Sequence, residues 1–187
     1  MFIYGIIKMS EAHKITNWAI PYCKKFNTYI DIGAHNGDTS TPFVTQFARV
    51  YAFEPNPTTN TLIPSTVRMF PYALGEKNIE TVLTIPNNGY NDPRHGSTTR
   101  YELGARHFSV TQKTLDSFEF TNVNLIKIDV EGGELGVVNG AINTINKWKP
   151  VVLFENKRKQ NEKVVDFFRQ IGYNIKEHKS DTVAYYE

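Results

Sequence analysis

Residues 124–132, NLIKIDVEG, place Leu125, Ile126, Ile128 and Val130 in one short run. A run this continuously apolar reads as a strand buried on both faces, the setting of a central strand in a parallel sheet. TYIDIG (28–33), VYAFEP (50–55) and PVVLFEN (150–156) are further short β-type runs. VRMFPYAL (67–74) contains another, and ETVLTI (80–85) predicts an extra strand. Between the strands, residues 10–25 predict a helix bent near Pro21, and 38–48, 58–63, 133–148 and 161–171 predict four more. In 133–148 the apolar residues Val138, Ala141, Ile142 and Ile145 keep helical spacing, and Gly172 is placed to cap 161–171. YNIKEH and TVAYYE predict a closing hairpin. Strands alternating with helices imply an α/β fold, a mainly parallel sheet covered on both faces.

The chain has 187 residues, which suits one domain over 1–187 with a helical segment at 1–27. Hydrophobic residues make up 40%, enough for a packed core. A net charge of +2 gives no field that would select nucleic acid or an anionic membrane. Cys23 has no second cysteine to pair with, which fits a reducing compartment. The apolar start MFIYGIIKMS precedes its lysine instead of following it, unlike a secretory leader, and no run reaches the ~18 residues of a membrane span. These features predict a cytoplasmic protein with no membrane span and no nucleic-acid partner.

The segment after the first strand carries the chemistry. Asp31-Ile-Gly33-Ala34-His35-Asn-Gly37-Asp38 turns from a strand into the next element, and glycines there let a ligand approach the backbone. Glu54 ends the second strand, where a carboxylate can accept hydrogen bonds from two ribose hydroxyls. The spacing G-x-x-x-G differs from the dinucleotide G-x-G-x-x-G. Asp31 would repel a pyrophosphate but could bind an ammonium. This favours S-adenosyl-L-methionine over NAD and disfavours a nucleotide-linked dehydrogenase. A noncatalytic binding module of the same fold is the other alternative.

YIDIGAHNGDTS, VYAFEPNP, YALGE, TLDSF and LIKIDVEGGELGVVNGA, in this order, resemble the FkbM family of methyltransferases. The resemblance covers residues 29–155. It implies the Rossmann-like class I methyltransferase fold, a mostly parallel seven-stranded sheet with a C-terminal antiparallel hairpin and helices on both faces. It implies S-adenosyl-L-methionine as cofactor and O-methylation of a hydroxyl on a sugar or other small acceptor. Asp31, Gly33 and Gly37 would surround the methionine end, and Ala34, His35 and Asp38 would also bind the cofactor. Glu54 would take the ribose, Pro55 and Asn56 would border the adenine, and Ala73 and Leu74 would contact its edge. Asp129 would face the methyl group. His35 stands where the family more often has asparagine.

A hydroxyl acceptor needs its proton removed during transfer. Asp129 and Glu131 lie at the carboxyl end of a central strand, where open α/β sheets bind ligands. Asp129 is read as cofactor-facing and Glu131 as base or acceptor ligand, with Lys127 orienting the acceptor or pairing with a carboxylate. Glu134 is read as stabilising a helix N-terminus. Glu155 and Asn156 end the next strand and are assigned to acceptor binding. With Asp129 they offer oxygen ligands of the kind magnesium takes, but no metal is the favoured reading. The polar stretch 86–100, PNNGYNDPRHGSTTR, predicts a long loop or acceptor lid carrying His95 and Ser97. Lys157, Arg158 and Lys159 read as a solvated helix approach.

Overall fold

The computed structural model describes residues 11–85, 104–156 and 162–187. The predicted loop at 86–100, with His95 and Ser97, lies outside the described residues, as do Lys157, Arg158 and Lys159.

Seven strands form the main sheet: β1 Thr28–Ile32, β2 Arg49–Phe53, β3 Arg68–Phe70, β7 Val123–Ile128, β8 Val151–Glu155, β9 Asn174–His178 and β10 Asp181–Tyr185. Their order is β3-β2-β1-β7-β8-β10-β9. The first five strands in this order run parallel, and β10 pairs antiparallel with both β8 and β9. The closing hairpin therefore enters the sheet with its second strand inside and its first at the edge.

Side chains alternate across this sheet as period-2 geometry requires. Ile30, Ile32, Ile126, Ile128, Val152 and Phe154 pack with α2 (Glu134–Asn139), α3 (Ile142–Trp148) and α4 (Glu162–Gln170). Tyr29, Leu125, Val151 and Leu153 pack on the opposite face with Ala19 of α1 (Glu11–Ala19) and with Phe43 and Phe47. Each fully buried Ile, Leu or Phe in these layers contributes about 1.5–3 kcal/mol.

Several predicted elements are corrected. The helix at 10–25 ends at Ala19, and Pro21 sits in a 3₁₀ turn, Ile20–Tyr22. The helix at 38–48 is absent; only a 3₁₀ turn, Thr41–Phe43, forms there. The Thr39 carbonyl, which a helix would give to the Phe43 amide, instead accepts the Tyr29 hydroxyl at 3.1 Å. The Thr39 and Ser40 hydroxyls are drawn to Asp31, a local competition that disfavours helix. Residues 58–63 likewise hold only a 3₁₀ turn, Asn60–Leu62.

The single helix predicted at 133–148 is two, α2 and α3, broken at Gly140 and Ala141. A Cβ at Gly140 would lie 2.0 Å from the Gly75 carbonyl oxygen, so the bend after Leu74 crosses at the break. Asp116, from a 3₁₀ turn at Leu115–Phe118, restarts the helix. Its carboxylate accepts the Asn143 amide at 2.9 Å and the Thr144 amide at 2.8 Å. The predicted extra strand is real but belongs elsewhere: β5 (Ile79–Ile85) joins β4 (Ala73–Leu74) and β6 (Arg106–Lys113) in a separate sheet ordered β4-β6-β5. Residues 106–113 had no predicted strand; their alternation is mixed with charge at Arg106, His107 and Lys113.

Among the described residues, no helix is long and apolar enough to cross a membrane.

Candidate active site

The strand order reverses between β1 and β7, and a cleft opens at the carboxyl ends of such neighbours. Here it is a cavity of about 460 Å³, lined among others by Gly33, Ala34, His35, Asp38, Phe53, Glu54, Pro55, Ala73, Leu74, Leu83, Lys127, Asp129 and Glu131. That size lies within the roughly 300–1,000 Å³ of small-ligand pockets.

Backbone geometry builds the rim. Gly33 has φ +79° and sits against the Asp129 backbone. Its amide and that of Ala34 both donate to the Phe53 carbonyl, at 2.9 and 3.1 Å. The turn closes with the Gly37 amide on the Ala34 carbonyl at 2.8 Å. His35 follows in a left-handed conformation, φ 54°, which points its amide at Glu54.

Glu54 is 8% exposed. Its Oε2 accepts the His35 amide and its Oε1 the Asn56 amide, each at 2.8 Å. Burial raises its pKa above the ordinary value, opposed by those two amides. Each oxygen retains a lone pair beyond the one engaged, so the fixed carboxylate can still receive a diol. His35 Nε2 is buried without a hydrogen-bond partner.

Three charged groups converge at the other wall. Lys127 Nζ lies 3.3 Å from Asp31 Oδ1 and 3.5 Å from Asp129 Oδ2. Burial disfavours the lysine charge, but Asp31 and then Asp129 outweigh it, and the pKa is raised. The two neighbouring carboxylates thus favour the ammonium form of Lys127. Asp31 is fully buried and does not line the cavity; Thr39, Ser40 and Lys127 take its oxygens. Asp129 is half-exposed toward the cavity. Glu131 also lines it, with φ 55°. A left-handed non-glycine residue costs on the order of 1–3 kcal/mol and is kept where its placement is over-determined. Glu134 is buried, and its Oε1 accepts the Gly132 amide at 3.0 Å.

Among the described residues, the remaining predicted ones fall outside the cavity lining. Gly37 shapes the turn. Asn56 turns its Oδ1 back onto Thr58. Glu155 stands opposite Asp181 in the hairpin register, and the Asn156 amide donates to the Ser180 carbonyl at 2.6 Å. Neither Glu155 nor Asn156 is part of the cavity lining, although Glu155 directly follows Phe154, which pairs with Ile128 beside Asp129. Among the described residues no three His, Cys, Asp or Glu side chains are grouped to hold a metal ion. Sequence reasoning missed Ile32, Asn36, Thr39, Phe53, Tyr72, Leu83, Val130 and Gly133 in the lining. For Thr39 a signal existed: two hydroxyl residues, 39 and 40, follow the glycine turn directly.

The fold is that of solved class I methyltransferases. An FkbM methyltransferase from Methylobacillus flagellatus KT superposes with a TM-score of 0.61 at 17% identity, over 86% of this chain and 44% of that one. This chain thus spans under half the length of that protein. A precorrin-6y C5,15-methyltransferase from Geobacter metallireducens GS-15 superposes with a TM-score of 0.55 at 12% identity, over 95% and 88% of the two chains. An rRNA methylase from Streptococcus thermophilus gives 0.56 at 7%, over 97% and 98%. The sequence matches no curated protein. Residues 31–175 match the methyltransferase FkbM domain, and the chain belongs to that family.

Methyltransferase families generally use S-adenosylmethionine, and the cavity's chemistry fits that molecule. It offers an apolar lining at Phe53, Ala73, Leu74 and Leu83, a held carboxylate at Glu54, an unpartnered buried nitrogen on His35, and paired charges at Lys127 and Asp129.

Proposed function

We propose that this protein transfers a methyl group from S-adenosylmethionine to a hydroxyl oxygen of a sugar or other small acceptor. The observation that carries the cofactor part is Glu54: a buried carboxylate, fixed by two backbone amides from separate loops, facing a cleft at the β1–β7 switch point. Such a group suits the two ribose hydroxyls. The bound cofactor supplies an electrophilic methyl on a sulfonium.

The chain's own residues then orient and deprotonate. Glu54 fixes the nucleoside. Asp129 brings negative charge to the part of the cleft where a cationic ligand is favoured. Glu131, aimed by its left-handed backbone, takes the acceptor hydroxyl proton during transfer. Alignment of acceptor oxygen and methyl supplies much of the rate. The mild net charge of +2 supports a small acceptor over nucleic acid. A cytoplasmic site of action is part of this reading, and the lone cysteine agrees with a reducing compartment.

Calorimetric titration with S-adenosylmethionine and S-adenosylhomocysteine, with NADH as control, tests the cofactor. Both sulfur ligands bind, and Glu54→Ala weakens them by roughly tenfold or more, the worth of charge-assisted hydrogen bonds. Binding of NADH alone would overturn the reading. Transfer of labelled methyl to a panel of free sugars tests the acceptor class. Glu131→Gln lowers turnover there without changing cofactor affinity.

A further inference from the structure

Glu134 is the first residue of α2, and it is only 1% exposed. A glutamate in the first turn of a helix ordinarily faces solvent, where the helix dipole favours its charge. This one is turned inward. Its Oε2 has no hydrogen-bond partner among the described residues, and its Oε1 accepts the Gly132 amide at 3.0 Å. Gly132 lies outside the helix, ahead of the N-cap Gly133, so the bond satisfies a loop amide and none of the helix's own. Burying a carboxylate costs free energy that one such bond offsets only in part. Stabilising the helix end would not require that burial.

The loop that receives this bond carries Glu131. Asp129, Val130, Glu131 and Gly133 line the cavity, and Glu134 does not. The Asp129 amide on the Ile32 carbonyl anchors the start of the loop, and the Val137 amide on the Gly133 carbonyl anchors its end, each at 3.0 Å. Between the anchors two successive residues are left-handed, Glu131 at φ 55° and Gly132 at φ +104°. Glycine takes such a conformation freely, whereas glutamate holds it only where surrounding contacts impose it. The Gly132 amide belongs to the peptide plane between these two residues. Fixing that plane sets ψ of Glu131 and φ of Gly132 together. Resting on the reading of Glu131 as the base, we propose that Glu134 is a positioning residue for acceptor deprotonation. By holding the Gly132 amide it locks the turn that aims Glu131 into the cavity.

Variants of the full chain test it through thermal unfolding, S-adenosylhomocysteine titration, Gly132 amide exchange by NMR, and turnover on the sugar that wild type methylates fastest. Glu134→Met keeps the side-chain length and removes the acceptor oxygens. It is expected to melt no lower than wild type, since an apolar side chain suits a buried position. S-adenosylhomocysteine affinity stays within about twofold, while kcat falls by roughly tenfold or more with KM for the sugar little changed. Gly132 exchange accelerates by roughly tenfold or more. Glu134→Gln keeps an acceptor oxygen and restores both turnover and slow exchange. Wild-type kcat in Glu134→Met, or Glu134→Gln as slow as Glu134→Met, overturns the proposal. Should Glu134→Met not fold, Glu134→Asp decides. It keeps the charge but is one methylene short of Gly132, and undiminished turnover there overturns the proposal. Fast Gly132 exchange in wild type overturns the brace without reference to any acceptor. Wild type that methylates no sugar sinks the acceptor reading instead, and the exchange rates still judge the brace.

Discussion

A Cβ on Gly33 would stand 1.9 Å from the carbonyl oxygen of Asp129. The ends of β1 and β7 meet there, with the Asp129 amide donating to the Ile32 carbonyl at 3.0 Å. No side chain fits without moving one strand end, and φ +79° is itself unfavourable for an L residue. Gly33→Ala is expected to cost about 2–5 kcal/mol, combining left-handed strain with overpacking. A urea titration reads this as a lowered midpoint with an unchanged slope.

Glu54 gives stability a pH dependence of defined sign. Its folded pKa is raised from 4.5, chiefly by burial. Such a group favours the fold fully below 4.5, and the advantage is lost as pH rises through the folded value. Glutamine carries no charge at any pH. Relative to wild type, Glu54→Gln should thus show a constant stability difference below 4.5 that moves in its favour at higher pH. Midpoints measured from about pH 4 to about pH 7 check the slope.

Lys127 and Asp31 form a buried pair, so their substitutions must couple. Lys127→Met leaves the Asp31 carboxylate without its cation and is expected to cost about 3–5 kcal/mol. In that background Asp31→Asn becomes less costly than it is alone, with a coupling energy of about 0.5–3 kcal/mol. A double-mutant cycle by denaturant unfolding measures it, and additive losses would contradict the pairing.

Asp116 caps α3 from a turn 27 residues earlier in the chain. Asp116→Ala frees the Asn143 and Thr144 amides and the Thr144 hydroxyl. The expected loss is about 0.5–2 kcal/mol, the usual worth of an N-cap, with ligand affinity unchanged. Thermal unfolding beside a calorimetric titration separates the two.

The strands of the main sheet were legible because their apolar runs are local signals. β1, β2, β8 and the hairpin all fall within two residues of their expected bounds, and β7 starts within one but ends at Ile128, four residues before the expected end. What was hidden is non-local. Nothing near residues 38–48 shows that the Tyr29 hydroxyl will claim the Thr39 carbonyl. Nor does 133–148 show that Gly75 crosses at Gly140. The same limit applied to the site. Strand-end positions brought out Glu54, Lys127 and Asp129. Which aspartate faces the cavity depends on what fills the space around it, and only packing shows Thr39 and Ser40 closing over Asp31.

The cavity draws its wall from two distant stretches, residues 32–74 with Leu83 on one side and residues 127–133 on the other. Residues 32–55 and 127–133 follow strands of opposite halves of the main sheet, joined at the β1–β7 seam, while Ala73, Leu74 and Leu83 come from the smaller sheet. A ligand seated across that seam would act as a removable crosslink between the halves. At a free concentration a hundred times its dissociation constant it would add about 2.7 kcal/mol to the folded state. The supply of cofactor would then govern how long the molecule survives between turnovers, as well as how often it reacts.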